Sequence, residues 1–400
     1  MKTMRTPTPP AAEERAGSPL APSTSTRTSR MPARLGLRPR DGLFLLGMLA
    51  VIAATVAVLA AGGSALTSRR AATSPTAAPA SLGAQVVAAQ MQQYMFPAPS
   101  PGLMEPSVDA AGNVWVGEMS TNKLARLNPH TGAVSTWTPP GGKFNIMETA
   151  VDRAGDVWFT EQAANYIGRF HPATQRFTTY PLEQVNGHSS APQALAFDSV
   201  GKLWFTELTS SKIGRLDPAT GAITTWRVPS ITNNPSSYPY ALAPRGGQVW
   251  FGYLSGGAVG RLDPATGKTQ VIKLATAQAQ IFSMTQDAQG RVWFTELEQG
   301  KIGMIDTATG RATEIAVPAA VGGSPAAGLY GIVAAKDGSV WFACSSANAL
   351  VQYDPDTQFF TFHTLAVPGS VPYGVALDGE GRVWFSADAS PRNYVGRMLS

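Results

Sequence analysis

The sequence predicts an all-β protein, a seven-bladed β-propeller preceded by a single transmembrane helix, and three observations carry that reading. A Trp-centred phrase recurs seven times between residues 91 and 400. Its tryptophans stand 43, 46, 46, 43, 48 and 43 positions apart, the period of a propeller blade of about four strands. Ahead of the repeats, Leu43 to Ala61 is a 19-residue apolar run broken only by Thr55.

The phrase reads Val114-Trp115-Val116-Gly117-Glu118, Val157-Trp158-Phe159-Thr160-Glu161 and Leu203-Trp204-Phe205-Thr206-Glu207 in the first three units. It continues as Val249-Trp250-Phe251-Gly252-Tyr253, Val292-Trp293-Phe294-Thr295-Glu296, Val340-Trp341-Phe342-Ala343-Cys344 and Val383-Trp384-Phe385-Ser386-Ala387. β-branched and aromatic residues separated by Gly, Asp and Pro favour short strands and leave helices little place. In the third unit the predicted strands are 193–197, 202–207, 212–216 and 222–228. Asp217-Pro218-Ala219-Thr220-Gly221 joins the last two, with Pro presetting φ and Gly supplying a positive φ. The same turn returns as Asp263-Pro264-Ala265-Thr266-Gly267. The seventh unit ends after its third strand, and residues 92–97 have the form of a fourth. That strand is expected to pair with Tyr394 to Leu399 and close the ring, which removes two open sheet edges.

Residues 1–41 are rich in Thr, Ser, Pro, Ala and Arg and are read as a disordered basic cytoplasmic tail. Residues 42–66 are the transmembrane helix or signal anchor. Nineteen residues at ~1.5 Å each make ~28 Å, close to the hydrocarbon thickness of a bilayer. Arg27, Arg30, Arg34, Arg38 and Arg40 flank the run on its amino-terminal side and only Arg69 and Arg70 on the other, so the positive-inside rule places the amino terminus in the cytoplasm and the propeller outside it. The alternative is secretion after signal cleavage near Ala65. Residues 67–90, rich in Ala, Pro, Ser and Thr, are read as a linker, and 91–400 as the propeller.

The net charge of +5 does not describe the folded part. Residues 1–41 contribute +5, Arg69 and Arg70 add +2, and residues 91–400 carry −2. A cationic nucleic-acid face is therefore excluded. One Cys and four scattered His leave no Cys/His zinc site. His130, His171, His188 and His363 fall in or beside turns and outer strands and are read as surface residues. Cys344 is read as a buried small hydrophobe, with a reactive thiol as the alternative.

Leu203-Trp204-Phe205-Thr206-Glu207 followed by Lys212-Ile213-Gly214-Arg215-Leu216 resembles the repeat of the streptogramin B lyase (virginiamycin B lyase) family, and the resemblance covers residues 91 to about 400. It implies a magnesium-assisted elimination that opens an ester-closed cyclic peptide, with His as general base. The matching positions here read Leu329-Tyr330-Gly331-Ile332 and Val371-Pro372-Tyr373-Gly374-Val375. Tyrosine stands at both His positions, Val371 at one carboxylate position, and Asp388 at the other. A Tyr hydroxyl with a pKa of about 10 is a poor base at neutral pH. One carboxylate rarely holds Mg²⁺ without help from a substrate phosphate. No cofactor is predicted, and Mg²⁺ enters only with the lyase reading.

Aligning the units on their first strands places Met104, Met147, Gln193, Tyr240, Phe282, Tyr330 and Tyr373 at one mouth of the channel. They are expected to form an apolar funnel for a ligand with rings or aliphatic faces, or else to fill the mouth. Glu118, Glu161, Glu207 and Glu296 are read as parts of the blades, paired with the equally periodic Arg126, Arg169, Arg215, Arg261 and Arg397; a cation-binding carboxylate ring is the alternative. Departures from the repeat, Tyr253, Cys344 and Asp388, are better functional candidates than its members. The expected function is a binding module without chemistry of its own, taking a small molecule, a peptide or a glycan. The alternatives are a lyase or a lactone- or ester-opening hydrolase using Tyr330, Tyr373 and Asp388, and a scaffold for a protein partner.

Overall fold

The computed structural model describes residues 82–97, 102–142, 145–231, 238–319, 326–388 and 393–399. The basic tail, the apolar run and the linker up to residue 81 lie outside the described residues. Seven sheets follow one another, five of them built wholly from consecutive antiparallel strands. Blade 3 shows the pattern: Pro192–Phe197 innermost, then Leu203–Glu207, Lys212–Leu216 and Ile223–Arg227.

Two amino-terminal strands complete the ring. Strand β1, Ala84–Ala88, adds to blade 6 as a fifth strand, parallel to its outer strand Phe359–Thr364. Strand β2, Met91–Met95, pairs antiparallel with Tyr394–Met398 and supplies the fourth strand of blade 7. Residues 84–88 were expected as linker, and here the expectation is corrected. Gln85-Val86-Val87 has the β-branched character of a strand, and the open edge of blade 6 offers its backbone a partner.

Six of the seven blades bury their tryptophan against the next. Trp204 packs on Val249 and Phe251, Trp293 on Val340 and Phe342, and Trp384 on Val114 and Val116. Trp115, Trp158 and Trp250 do the same. In five blades the indole N–H donates to an Asp six residues earlier, as from Trp204 to Asp198 at 2.8 Å. That Asp also accepts backbone N–H groups of its turn, so a single carboxylate orders the turn and orients the ring.

The periodic arginines do not pair with the periodic glutamates, which corrects the sequence reading. Arg126, Arg169, Arg215, Arg261 and Arg397 lie directly across the sheet from their tryptophans and place the guanidinium 5.1–5.7 Å from the ring centroid. Strand register decides this, because Trp and Arg point to one face of the sheet while Glu, three residues after Trp, points to the other. The glutamates are buried within their blades, Glu207 accepting from Ser210 Oγ at 2.8 Å. Burial, with Glu314 beside it, pushes the Glu296 carboxyl up to about 8.

The Thr of the repeated phrase ties neighbouring blades together. The innermost strand bulges at 193–194, and the freed Ala194 N–H donates to Thr206 Oγ1 at 3.0 Å. Thr206 in turn donates to Tyr240 O of blade 4 at 3.0 Å. Thr160 and Thr295 repeat the arrangement. Thr206→Val leaves a buried N–H and a buried carbonyl without partners, an expected loss of about 1–3 kcal/mol by urea denaturation. The exposed Thr224→Val is the control. Equal midpoints for the two variants would refute the tie.

Candidate functional site

The three inner-strand bulges that Thr hydroxyls hold bring successive side chains to one cavity, Met147 with Glu148, Gln193 with Ala194 and Phe282 with Ser283. The first set is the one the sequence analysis aligned. Gln193 donates to Tyr240 Oη at 3.1 Å and accepts from Gln162 at 3.0 Å. Tyr240 and Phe282 approach to 4.9 Å between centroids, Phe282 and Tyr330 to 5.1 Å, and Tyr330 and Tyr373 to 4.8 Å. Phe282 also meets Tyr373 edge-on at 5.5 Å, a contact from blade 5 to blade 7. The rings therefore touch across the axis, and the mouth is filled by side chains. Met104 and Met147 are buried in the first two blades.

A channel of ≈ 430 Å³ adjoins these rings. Tyr240, Phe282 and Tyr373 line one end, and Val151, Phe197, Thr285 and Leu377 the other. Its distinctive residues are Glu105 and Glu148, which the sequence reading passed over. They are the residues after Met104 and Met147, where the other blades carry Ala194, Ala241, Ser283, Gly331 and Gly374. That contrast was the available signal. The two backbones meet in a bridge, and both carboxyl groups lie among the channel's lining. Burial raises Glu105 to about 7. Burial, and then the Glu105 charge, raise Glu148 well above the carboxylate range, while an N–H from Leu195 opposes the rise. Like charges held side by side in a half-buried channel share protons rather than both ionise.

Of the three catalytic candidates, Tyr330 and Tyr373 come together and Asp388 stands apart. Asp388 ends the second strand of blade 7, opposite Val371 in register. One of its carboxyl oxygens is buried without a hydrogen-bond partner, and burial raises its pKa. Burial also pushes the Tyr373 hydroxyl well above its ordinary value, followed by the charges of Tyr240 and Glu105. That direction opposes a general base. Among the described residues no three His, Cys, Asp or Glu gather closely enough to hold a metal ion. Asp388 with Val371 opposite does not fit a magnesium site. Cys344 is buried, with its thiol pKa raised first by that burial, as suits a packing residue. Three of the histidines are exposed; His363 instead is half-buried and packs at a tilt against Trp341.

The chain belongs to the virginiamycin B lyase family, whose model matches residues 89–398. Among solved structures it is similar to a streptogramin B lyase, with 28% identity and a TM-score of 0.68 over 77% of this chain and 97% of that one. A catalytically inactive virginiamycin B lyase from Staphylococcus aureus with quinupristin is similar at 26% identity and a TM-score of 0.68, covering 78% of this chain and 99% of that one. YCF48 bound to D1 peptide shares the fold at 13% identity and a TM-score of 0.62, over 81% of this chain and all of that one. No curated protein sequence matches the chain.

Proposed function

We propose that the chain is a membrane-anchored, extracytoplasmic propeller that binds a ligand or partner without lyase chemistry. Residues 42–66 are its anchor and the amino-terminal tail is cytoplasmic. The observation that carries the absence of lyase chemistry is the aromatic cluster. The two positions that match the family's general base hold tyrosines packed on each other and on Phe282, with the Tyr373 hydroxyl driven away from basicity. The apolar run and its arginine-rich flank support the anchor and its direction.

Family membership and the likeness to two streptogramin B lyases favour a second reading, an enzyme that opens a cyclic ester with Asp388, Tyr330 and Tyr373. Incubating the full chain with quinupristin and Mg²⁺, and following ring opening by mass, separates the two. Unchanged substrate mass is the expected result. Turnover that Asp388→Ala abolishes would overturn the binding reading. Protease treatment of spheroplasts tests the topology: the propeller should be digested, and protection would refute its export.

A further inference from the structure

We propose that the groove between blades 6 and 7 is a second binding site, built for a neutral saccharide. Six of the seven blade tryptophans have an arginine over the ring and are at most 3% exposed. Trp341 departs from both rules, and every partner that would cover it has changed. Ala335 stands where five blades have the Asp that holds the indole, so Trp341 Nε1 donates to Ser339 Oγ instead, at 3.2 Å. Gln352 lies across the sheet where five blades have Arg. On the outer strand His363 meets the indole in a tilted contact at 4.8 Å between centroids. Its Nε2 is buried without a hydrogen-bond partner, and burial lowers its pKa, so the ring is neutral near pH 7.

These substitutions converge on one cavity of ≈ 680 Å³, within the range of small-molecule sites. Its outer wall is Val87 and Ala88 of β1, with Gln90 after them. That wall strand precedes the stretch that the family model matches, so the groove is a feature of this chain's own amino-terminal segment.

The charges at the rim are already satisfied. Arg382 pairs with Asp378 and Glu380, both at 2.7 Å, Lys336 donates to Gly379 O at 2.9 Å, and Asp337 accepts from Ser339. The rim charges of Lys336, Asp337, Glu380 and Arg382 sum to zero, so an anion or a cation gains little net attraction here. What remains is a partly exposed indole, two side-chain amides and a neutral imidazole, all lining the cavity. A pyranose matches that set. The C–H groups of one ring face lie on an aromatic plane, while equatorial hydroxyls both donate and accept at the rim.

The test is saturation-transfer NMR on the full chain with chitotriose, cellotriose, maltotriose, mannotriose and xylotriose, and with a trisaccharide of glucuronate. Transfer to the ring protons of at least one neutral probe is expected. Gln352→Arg restores the pattern of the other blades, so the variant should fold and bind about ten-fold or more weakly, as should Trp341→Ala. No transfer to any neutral probe, an unchanged affinity in Gln352→Arg, or tighter binding of the glucuronate probe would each overturn the assignment.

Discussion

Alanine at both Tyr94 and Phe96 is expected to remove most of the propeller's stability. Tyr94 stacks on Trp384 at 5.9 Å, and its hydroxyl donates to Pro129 O of blade 1 at 3.2 Å. Phe96 is 6% exposed and joins the same core, which continues into Val114, Val116 and Leu127. These two side chains fasten the seam at which the amino-terminal strand completes the last blade. Large-to-small changes of buried aromatics cost about 3–5 kcal/mol each, against a typical total stability of about 5–15 kcal/mol. The strand also covers the outer edge of Tyr394–Met398, so its loss exposes backbone that pairs with other chains. Thermal unfolding and light scattering of the full chain should show a much lower midpoint with aggregation. Met95→Ala, on the same strand but half exposed, should change little. A double variant that melts with the parent would show that the ring closes without this strand.

The second large effect is a dependence on pH set by the channel. Glu105 and Glu148 both titrate higher in the folded chain than in the unfolded one, because burial penalises their charged forms. Below the unfolded carboxylate range both states are protonated and the pair costs nothing. As pH rises from there through about 7, the unfolded chain ionises freely and the folded chain does not, so stability falls. For Glu105 alone the loss is about 1–2 kcal/mol between pH 5 and pH 8, once the full effect is reduced for water in the channel. Glu105→Gln should therefore raise the urea midpoint at pH 8 and leave it nearly unchanged at pH 5. Adding Glu148→Gln should flatten the profile further, with a residual slope from Glu296, which also titrates high. A parent protein more stable at pH 8 than at pH 5, or parallel profiles for parent and variants, would sink this account of the channel.

The blades were legible because each is written locally. Trp, Phe, the Asp-Pro-Ala-Thr-Gly turn and the Ile-Gly-Arg strand recur at a fixed period, and the register they imply is the one observed in blade 3. The glycine of that strand shows how strict the local code is. A methyl on Gly214 would lie 2.1 Å from the Phe205 ring across the sheet, so only glycine admits a Phe flat against its backbone there. The partner of the arginines was misjudged because the reading paired opposite charges by their common period and did not ask which face of the strand each occupies. Strand β1 was missed because a five-residue segment in an Ala-rich stretch has little pattern of its own, and its partner lies about 276 residues away, as between Gln85 and Thr361.

By itself, then, the sequence determined the number of blades, their order, their turns and the family, since these follow from contacts within some 45 residues that repetition makes visible. Only the tertiary structure decided what meets at the axis and between blades 6 and 7. The aromatic cluster, the Glu105 and Glu148 pair and the cavity beside Trp341 are each assembled from side chains of different blades. Their proximity is set by the closure of the ring, a condition that leaves no period or spacing along the chain.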